Sequence, residues 1–187
     1  GLPVWTIGLD GEGRIDLDQL APLLARADAE GIVLLVALHW VNNETGVVQP
    51  MGRINAMVGP PRHALCIDAV QALGRLELEF AASAPDMMAV SGHKIGGPAG
   101  IGALLVKGHA DAARLIPGGG QETGRRGGTE AAALIAAFGA AAEAFPTRFY
   151  DANVSELVRI AEDGMRLIAP DLVVFGEKTD RIGNVSN

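Results

Sequence analysis

The stretch MMAVSGHKIGGPAG, residues 87–100, joins a short apolar run to a lysine and then to a glycine-rich turn. The apolar run is typical of a buried strand, and Lys94 follows it closely. The chain contains three lysines against twelve arginines, and Lys94 is the lysine placed between such a strand and such a turn. A lysine partly removed from water is a usable amine nucleophile. We interpret Lys94 as a Schiff-base lysine; the alternative is a strand-end lysine whose ammonium simply reaches solvent.

Two further apolar runs lie upstream and also end in polar residues. Residues 32–38 are continuously apolar and too short to cross a bilayer, so we expect a strand buried on both faces. Residues 64–67 form the second run, which ends at Asp68. We expect a helix after Asp68, with Gln71 about one turn into it.

The spacing of these runs predicts how their polar ends are arranged. Asn43, Asp68 and Lys94 follow one another at intervals of 25 and 26 residues. These intervals are close to the roughly 30 residues of one strand-helix-strand unit. If the strands are parallel, all three residues stand at one edge of a sheet, where open α/β sheets bind ligands.

The chemistry of these side chains indicates a cofactor. Pyridoxal phosphate requires a lysine that forms an imine and a buried carboxylate that faces the pyridinium nitrogen. Lys94 and Asp68 would supply these two groups. Asn43 and Gln71 could exchange hydrogen bonds with the ring hydroxyl or a substrate carboxylate. Two more side chains, those of Ser91 and His93, could reach a phosphate.

Four ordered motifs resemble the cysteine desulfurases, which belong to the class V aminotransferase-like, fold type I pyridoxal phosphate enzymes. The resemblance is collinear over nearly the whole chain. The motifs are VNNETG (residues 41–46), IDAVQ (67–71), SGHKIGGPAGIG (91–102) and GGGQETGRRGGT (118–129).

The resemblance implies a role for each candidate residue. Lys94 would bind the cofactor aldehyde, Asp68 would pair with the pyridinium, and Gln71 would contact the ring hydroxyl. Asn43 would lie near the ring or the substrate. The phosphate ligands would be Ser91 and His93, together with Thr129, which would serve the cofactor of the neighbouring subunit across a homodimer interface.

The resemblance also implies a reaction. A cysteine desulfurase removes sulfur from L-cysteine, leaves alanine and holds the sulfur as a persulfide on an enzyme cysteine. The sulfur then passes to an acceptor or scaffold protein for iron-sulfur cluster or thio-cofactor assembly. Two alternatives stay open: another class V enzyme, such as a selenocysteine lyase or an aminotransferase, and a non-catalytic paralogue that serves as a dimerisation or docking module.

Some parts of the family pattern are not found in these residues. The single cysteine, Cys66, lies inside an apolar run and is predicted to be a core residue and not a nucleophile. We therefore expect an internal fragment that is inactive alone and exposes apolar surface.

Residues 1–145 would be part of the cofactor-binding large domain of an α/β fold with a mostly parallel sheet flanked by helices. Residues 146–187 would hold an interdomain helix and the start of a small α/β domain.

Composition narrows the remaining function classes. The net charge of −7 argues against a nucleic-acid surface, and no apolar run reaches the roughly 18 residues of a membrane span. One cysteine excludes an internal disulfide framework, which fits a cytoplasmic protein.

A metal site at His63, Cys66 and Asp68 is disfavoured because the first two point to opposite faces of a strand. We expect no metal.

Local patterns predict the remaining elements. Helices are expected over residues 17–29, capped by Asp16 or Asp18, and over 153–168. A third helix is expected up to about residue 145, with Thr129 as its cap. Strands are expected over 101–106 and 172–175, and Pro60 and Pro61 should interrupt a short helix after Pro50. His39 and His109 are interpreted as surface or strand-end residues.

Overall fold

Four strands and four α-helices, with three short 3-10 helices, are found in the part of the chain that the structure describes. The computed structural model describes residues 2–59, 62–80, 85–110, 114, 116–145 and 152–187. Within these residues the elements are α1 (Leu17–Glu30), β1 (Leu35–His39), α2 (Met51–Val58), β2 (Ala64–Asp68), β3 (Met87–Ser91), β4 (Gly102–Val106), α3 (Ala132–Ala144) and α4 (Ala152–Ile168).

The four strands form one sheet in the order β1-β2-β3-β4. The first three strands are parallel, with His39 beside Asp68 and Asp68 beside Ala89. Strand β4 is antiparallel to β3. The sheet is therefore mostly parallel with helices beside it, which confirms the predicted α/β fold class.

Helix α1 shows how local sequence builds the layer under the sheet. Asp16 caps the helix, because its side chain accepts hydrogen bonds from the backbone N–H groups of residues 18 and 19. Gly31 ends the helix in the left-handed conformation that favours glycine. The buried side chains recur at helical spacing and are Leu17, Leu20, Leu24 and Ala27. The predicted helix and its Asp16 cap are confirmed.

Among the described residues, the hydrophobic core lies on one face of the sheet. Val36, Leu65, Ile67 and Met88 point to this face and pack with buried residues of α1 and α2. On the opposite face Leu35 is 61% exposed, and Leu104 is also exposed. The expectation that the first strand is buried on both faces is wrong, because β1 is an edge strand and its second face carries no layer among the described residues. Apolar surface is exposed, as predicted.

Three element predictions are wrong. The described residues after Asp68, 69–80, form turns and no helix, so Gln71 lies in a turn. Residues 172–175 form no strand and pass into turns. Helix α3 begins at Ala132, with Ala131 at its cap position, so Thr129 does not cap it. In each case tertiary contacts outweigh a short local pattern.

The other elements occur close to where they were expected. Strand β4 and helix α4 match the predicted ranges 101–106 and 153–168 within two residues. Helix α2 ends at Gly59; Pro60 and Pro61 lie outside the described residues. The proposed domain boundary after residue 145 meets a stretch, 146–151, that also lies outside them, so the division into two domains stays a prediction.

The last residues of the chain pack against the loop that follows β1. Backbone hydrogen bonds join Val48 N to Asp180 O at 2.8 Å and Ile182 N to Gly46 O at 2.9 Å. Glu162 of α4, 8% exposed, accepts hydrogen bonds from Arg181 and Ser186. Burial raises the pKa of this carboxyl, but the two hydrogen bonds and the Arg181 charge outweigh it and hold the pKa of Glu162 below its usual range.

None of the helices within the described ranges is long and apolar enough to cross a bilayer.

We predict that Glu162→Gln destabilises the protein by about 1–2 kcal/mol at neutral pH, because it removes a charged acceptor from two donors. A carboxyl with a lowered folded pKa stabilises the fold above its unfolded pKa of about 4.3, and this contribution is lost as the pH falls through the folded value. The difference between wild type and variant, measured by urea unfolding, should therefore shrink at about pH 4 and below.

Glu156→Gln is the matched control for this experiment, because Glu156 pairs with Arg159 on the exposed face of α4. The loss of stability caused by Glu156→Gln should be small at every pH. Equal losses from both variants, or a pH-independent loss from Glu162→Gln, would contradict the role assigned to Glu162.

Candidate functional site

A pocket of about 310 Å³ lies at the carboxyl edge of the parallel strands. Its lining comes from the ends of β1 and β2, from the residues after them, and from the turn after β3. The lining residues are His39, Val41, Asn43, Asp68, Val70, Gln71 and Lys94. Four residues that the sequence predicts for one site, Asn43, Asp68, Gln71 and Lys94, therefore share one pocket.

Strand pairing places Asp68 at this edge. The Trp40 N–H donates to the Asp68 carbonyl at 2.8 Å, and the Ala69 N–H donates to the Ala89 carbonyl at 2.9 Å, so the three strand ends are tied together. The Asp68 Oδ1 atom accepts from the Val70 N–H at 2.9 Å. Its Oδ2 atom has no hydrogen bond from any residue that the structure describes.

The expectation that Asp68 is buried is wrong, since its side chain is exposed. The reason is its position at the strand tip, where it faces an open pocket. Its two oxygens offer about four lone-pair sites, and one of these is occupied. The carboxylate can therefore still receive a hydrogen bond from a group that enters the pocket.

Lys94 is held by a tight turn at the end of β3. Residues Gly92–Lys94 form one 3-10 turn, in which the Gly92 carbonyl accepts from Ile95 N at 3.1 Å and from Gly97 N at 2.9 Å. A Cβ atom at position 92 would lie 3.0 Å from a methyl carbon of Ile101 and 3.1 Å from the ring of Phe138. A larger residue there would press on both side chains, because the turn packs against Phe138 of α3. Lys94 is half-buried and lines the pocket.

A compact loop presents Asn43 from the other side. The Asn42 Oδ1 atom accepts from Glu44 N at 2.8 Å and from Thr45 N at 3.0 Å, which closes an Asx turn. The exposed Asn43 side chain donates from Nδ2 to Glu44 Oε1 at 2.9 Å. Its Oδ1 atom is available to a ligand, as no described residue donates to it.

Three of the predicted site residues do not line this pocket. Ser91 and His93 lie beside the Lys94 turn, and Ser91 Oγ is 2.7 Å from His93 Nδ1. Thr129 is exposed and follows the glycine-rich loop, where Gly118 and Gly127 approach each other closely. Their assignment to a phosphate stays a prediction, as do the individual roles of the four residues that line the pocket.

Sequence reasoning missed three lining residues, namely His39, Val41 and Val70. His39 ends β1 at the same register position at which Asp68 ends β2. The rule that located Asp68 from the end of its apolar run applies equally to His39, so the signal was present. The two valines follow the strand ends in runs without a distinguishing pattern.

A smaller pocket of about 190 Å³ lies near the start of α1, between Asp10, Arg14 and Arg53. Asp10 accepts from Arg14, so these charges already satisfy one another in part. Across the described ranges, no group of three His, Cys, Asp or Glu side chains is arranged to hold a metal ion.

The chain is similar to known proteins over its whole length. Residues 1–181 match the family described as Aminotransferase class-V. The chain is 36% identical over 188 residues to Cysteine desulfurase 2 of Trichormus variabilis, an alignment that covers 100% of this chain and 46% of that protein. The chain thus spans about half the length of the curated relatives it matches.

Two solved structures share the fold. The NifS-like protein from Rickettsia africae superimposes with a TM-score of 0.88 at 30% identity, covering 96% of this chain and 50% of that one. A structure described as SspA in complex with cysteine gives a TM-score of 0.69 at 34% identity, covering 86% of this chain and 45% of that one. The family match over residues 1–181 decides the assignment: the chain belongs to the class V aminotransferase family.

Proposed function

We propose that this chain carries the pyridoxal phosphate site of a cysteine desulfurase that converts L-cysteine to L-alanine. The observation that carries the proposal is the meeting of Lys94 and Asp68 in one pocket at the carboxyl edge of a parallel sheet. An amine and a carboxylate are the two groups that a fold must supply to hold and activate this cofactor.

The described residues fit the cofactor. Asp68 keeps an unpaired oxygen for the ring nitrogen, and Asn43 keeps an unpaired amide oxygen. Lys94 is half-buried at the end of a rigid turn, so its amine is positioned and partly removed from water. When bound, pyridoxal phosphate withdraws electrons from the substrate atoms attached to it.

The predicted site residues would then have defined tasks. Lys94 would hold the cofactor through its aldehyde and would supply a base to the site. Asp68 would keep the ring nitrogen protonated. Gln71 and Asn43 orient the ring and the substrate through their amides. At the side of the Lys94 turn, Ser91 and His93 would hold the phosphate.

L-cysteine as substrate is supported by the names of the relatives. A 36% identical relative is named Cysteine desulfurase 2, and the SspA structure is described as a complex with cysteine. Because the chain spans about half of these proteins, we propose that the complete active site includes residues beyond this chain. Those further residues would contain the cysteine that accepts the sulfur. We therefore propose that this chain alone does not convert L-cysteine.

Cys66 is not that acceptor in our proposal. Burial raises the pKa of the Cys66 thiol, and the negative charge of Asp68 raises it further. The thiolate, which is the form that attacks sulfur, is therefore scarce at neutral pH. Cys66 lies in β2 on the face opposite Leu65 and Ile67 and is only half-buried, so the expectation of a core residue is wrong; we propose that it only packs on that face.

We further propose a homodimer in which Thr129 reaches the phosphate of the neighbouring subunit's cofactor. The exposure of Thr129 and its absence from the pocket lining support a role outside its own site. The sulfur would pass to an acceptor or scaffold protein, with iron-sulfur cluster assembly as the expected use. A single cysteine suits the reducing cytoplasm, where we place the protein.

Lys94→Ala should abolish the yellow absorbance that appears when the protein is titrated with pyridoxal phosphate, because no amine at that position can bind the aldehyde. Lys107→Ala is the matched control and should keep the absorbance. Loss in both variants, or in neither, would contradict the assignment of Lys94. Cysteine-dependent release of alanine by the complete enzyme then separates a desulfurase from an aminotransferase or a selenocysteine lyase.

Thr129→Ala should weaken cofactor binding several-fold in the dimer, since one hydroxyl donor to the phosphate is lost. Thr179→Ala provides a comparison, because residue 179 lies in a turn away from the pocket. Cofactor affinity is measured by absorbance titration at protein concentrations that favour the monomer or the dimer. An affinity unchanged in the Thr129→Ala dimer would count against the shared site.

Cys66 should react with iodoacetamide more slowly than glutathione does at the same neutral pH, because a raised pKa leaves less thiolate. Asp68→Asn removes one cause of the raised pKa and should accelerate the reaction, whereas Asp18→Asn should not. Mass spectrometry follows the labelling with time. Rapid labelling of Cys66 in the wild type would contradict its proposed packing role.

A further inference from the structure

One of the four histidines differs from the other three in its surroundings. His63 Nδ1 accepts from Leu34 N at 3.3 Å. His93 pairs with Ser91, and His109 Nε2 lies 2.6 Å from the buried carboxylate of Asp86. Of the four side chains, only that of His39 forms no hydrogen bond or ion pair with a residue in the described part of the chain.

His39 is half-buried and lines the Lys94 pocket. Its ring nitrogens are not among the buried unpaired atoms of the described residues, so they reach solvent through the pocket and have no protein partner. Both ring nitrogens of His39 are therefore available for a contact that forms within the pocket.

Strand register supplies the nearest candidate partner. His39 and Asp68 are directly paired on neighbouring parallel strands, so their Cα atoms are about 4.8 Å apart and their side chains point to the same face. Both line the same pocket. The Asp68 Oδ2 atom is unpaired among the described residues, so one free acceptor stands beside one free donor.

We propose that His39 is a positioning residue of this site: rotation of its side chain from the unpaired position in this structure brings a ring N–H to the Asp68 carboxylate, to which it donates a hydrogen bond. The proposal rests on the function proposed above, in which Asp68 faces a ring nitrogen. Val70 N would hold one oxygen and His39 the other, with a lone pair left on each for the ligand. The carboxylate would then be fixed from two sides.

Other groups facing His39 do not replace this pairing. Lys94, across the pocket, is a cation and cannot accept from the imidazole. The amide oxygens of Asn43 and Gln71 could also accept a hydrogen bond, but neither residue is paired with His39 in the strand register, as Asp68 is. Among the described residues that line the pocket, Asp68 is thus the one carboxylate.

The first test needs no cofactor. Two-dimensional NMR of the purified protein in mildly alkaline buffer gives the chemical shifts of both His39 ring nitrogens, which report the tautomer and its hydrogen bond. One fixed tautomer is expected in the wild type, and in Asp68→Ala the shifts should move to the averaged values of a free imidazole. Asp18→Ala, which removes a carboxylate outside the pocket, should leave them unchanged.

Averaged values in the wild type, or identical shifts in wild type and Asp68→Ala, would overturn the pairing. If Asp68→Ala does not fold, the wild-type spectrum decides alone, because a fixed tautomer supports the hydrogen bond and an averaged one refutes it.

The second test measures the dissociation constant of pyridoxal phosphate. His39→Leu should weaken binding by about threefold or more, the cost of one hydrogen bond, while His39→Gln, which keeps an N–H donor, should restore most of it. In an Asp68→Ala background, His39→Leu should add no further loss. Additive losses, or no loss in His39→Leu, would contradict a role exercised through Asp68. If the wild type binds no cofactor, the proposed function fails while the nitrogen shifts still decide the pairing.

Discussion

Parallel pairing of β1, β2 and β3 is the constraint on which the site depends. A parallel register brings the carboxyl ends of all three strands to one edge, so residues far apart in sequence become neighbours there. Hydrogen bonds from Trp40 and Ala69 extend this pairing just beyond the strands. A shift of one residue in β2 would turn Asp68 to the opposite face and remove the carboxylate from the pocket.

The other elements pack against the strands and the loop that form this edge. Helices α1 and α2 cover one face of the sheet, where Leu65 and Ile67 are fully buried. The C-terminal segment is held by Glu162 and packs against the loop that presents Asn43. The opposite face of the sheet leaves Leu35 exposed, in a chain that spans about half the length of its curated relatives.

Much of the site could be predicted from the sequence, because each strand is marked by an apolar run and each run ends in a polar residue. Lys94, Asp68, Asn43 and Gln71 follow from that rule together with the family resemblance. The rule fails where tertiary packing, and not the local sequence pattern, determines the secondary structure. Residues 69–80 have helical composition but form turns, and residues 172–175 are apolar but do not pair with a strand.

His39 illustrates a different limit. Its sequence neighbourhood contains no chemical motif beyond the strand end, and a single histidine there is most simply interpreted as a surface residue. Only the register with Asp68 and the shared pocket place His39 next to a residue that keeps a free carboxylate oxygen. Exposure of Thr129 and the packing of Gly92 against Phe138 are likewise properties of the folded chain.

The central claim, that Lys94 and Asp68 form one cofactor site, is tested most directly by trapping the cofactor. The protein is incubated with pyridoxal phosphate, reduced with borohydride, digested and analysed by mass spectrometry. The account predicts the phosphopyridoxyl mass on the peptide that contains Lys94, with Asp68→Ala reducing the labelled fraction. Labelling spread evenly over Lys94, Lys107 and Lys178, and unaffected by Asp68→Ala, would contradict it.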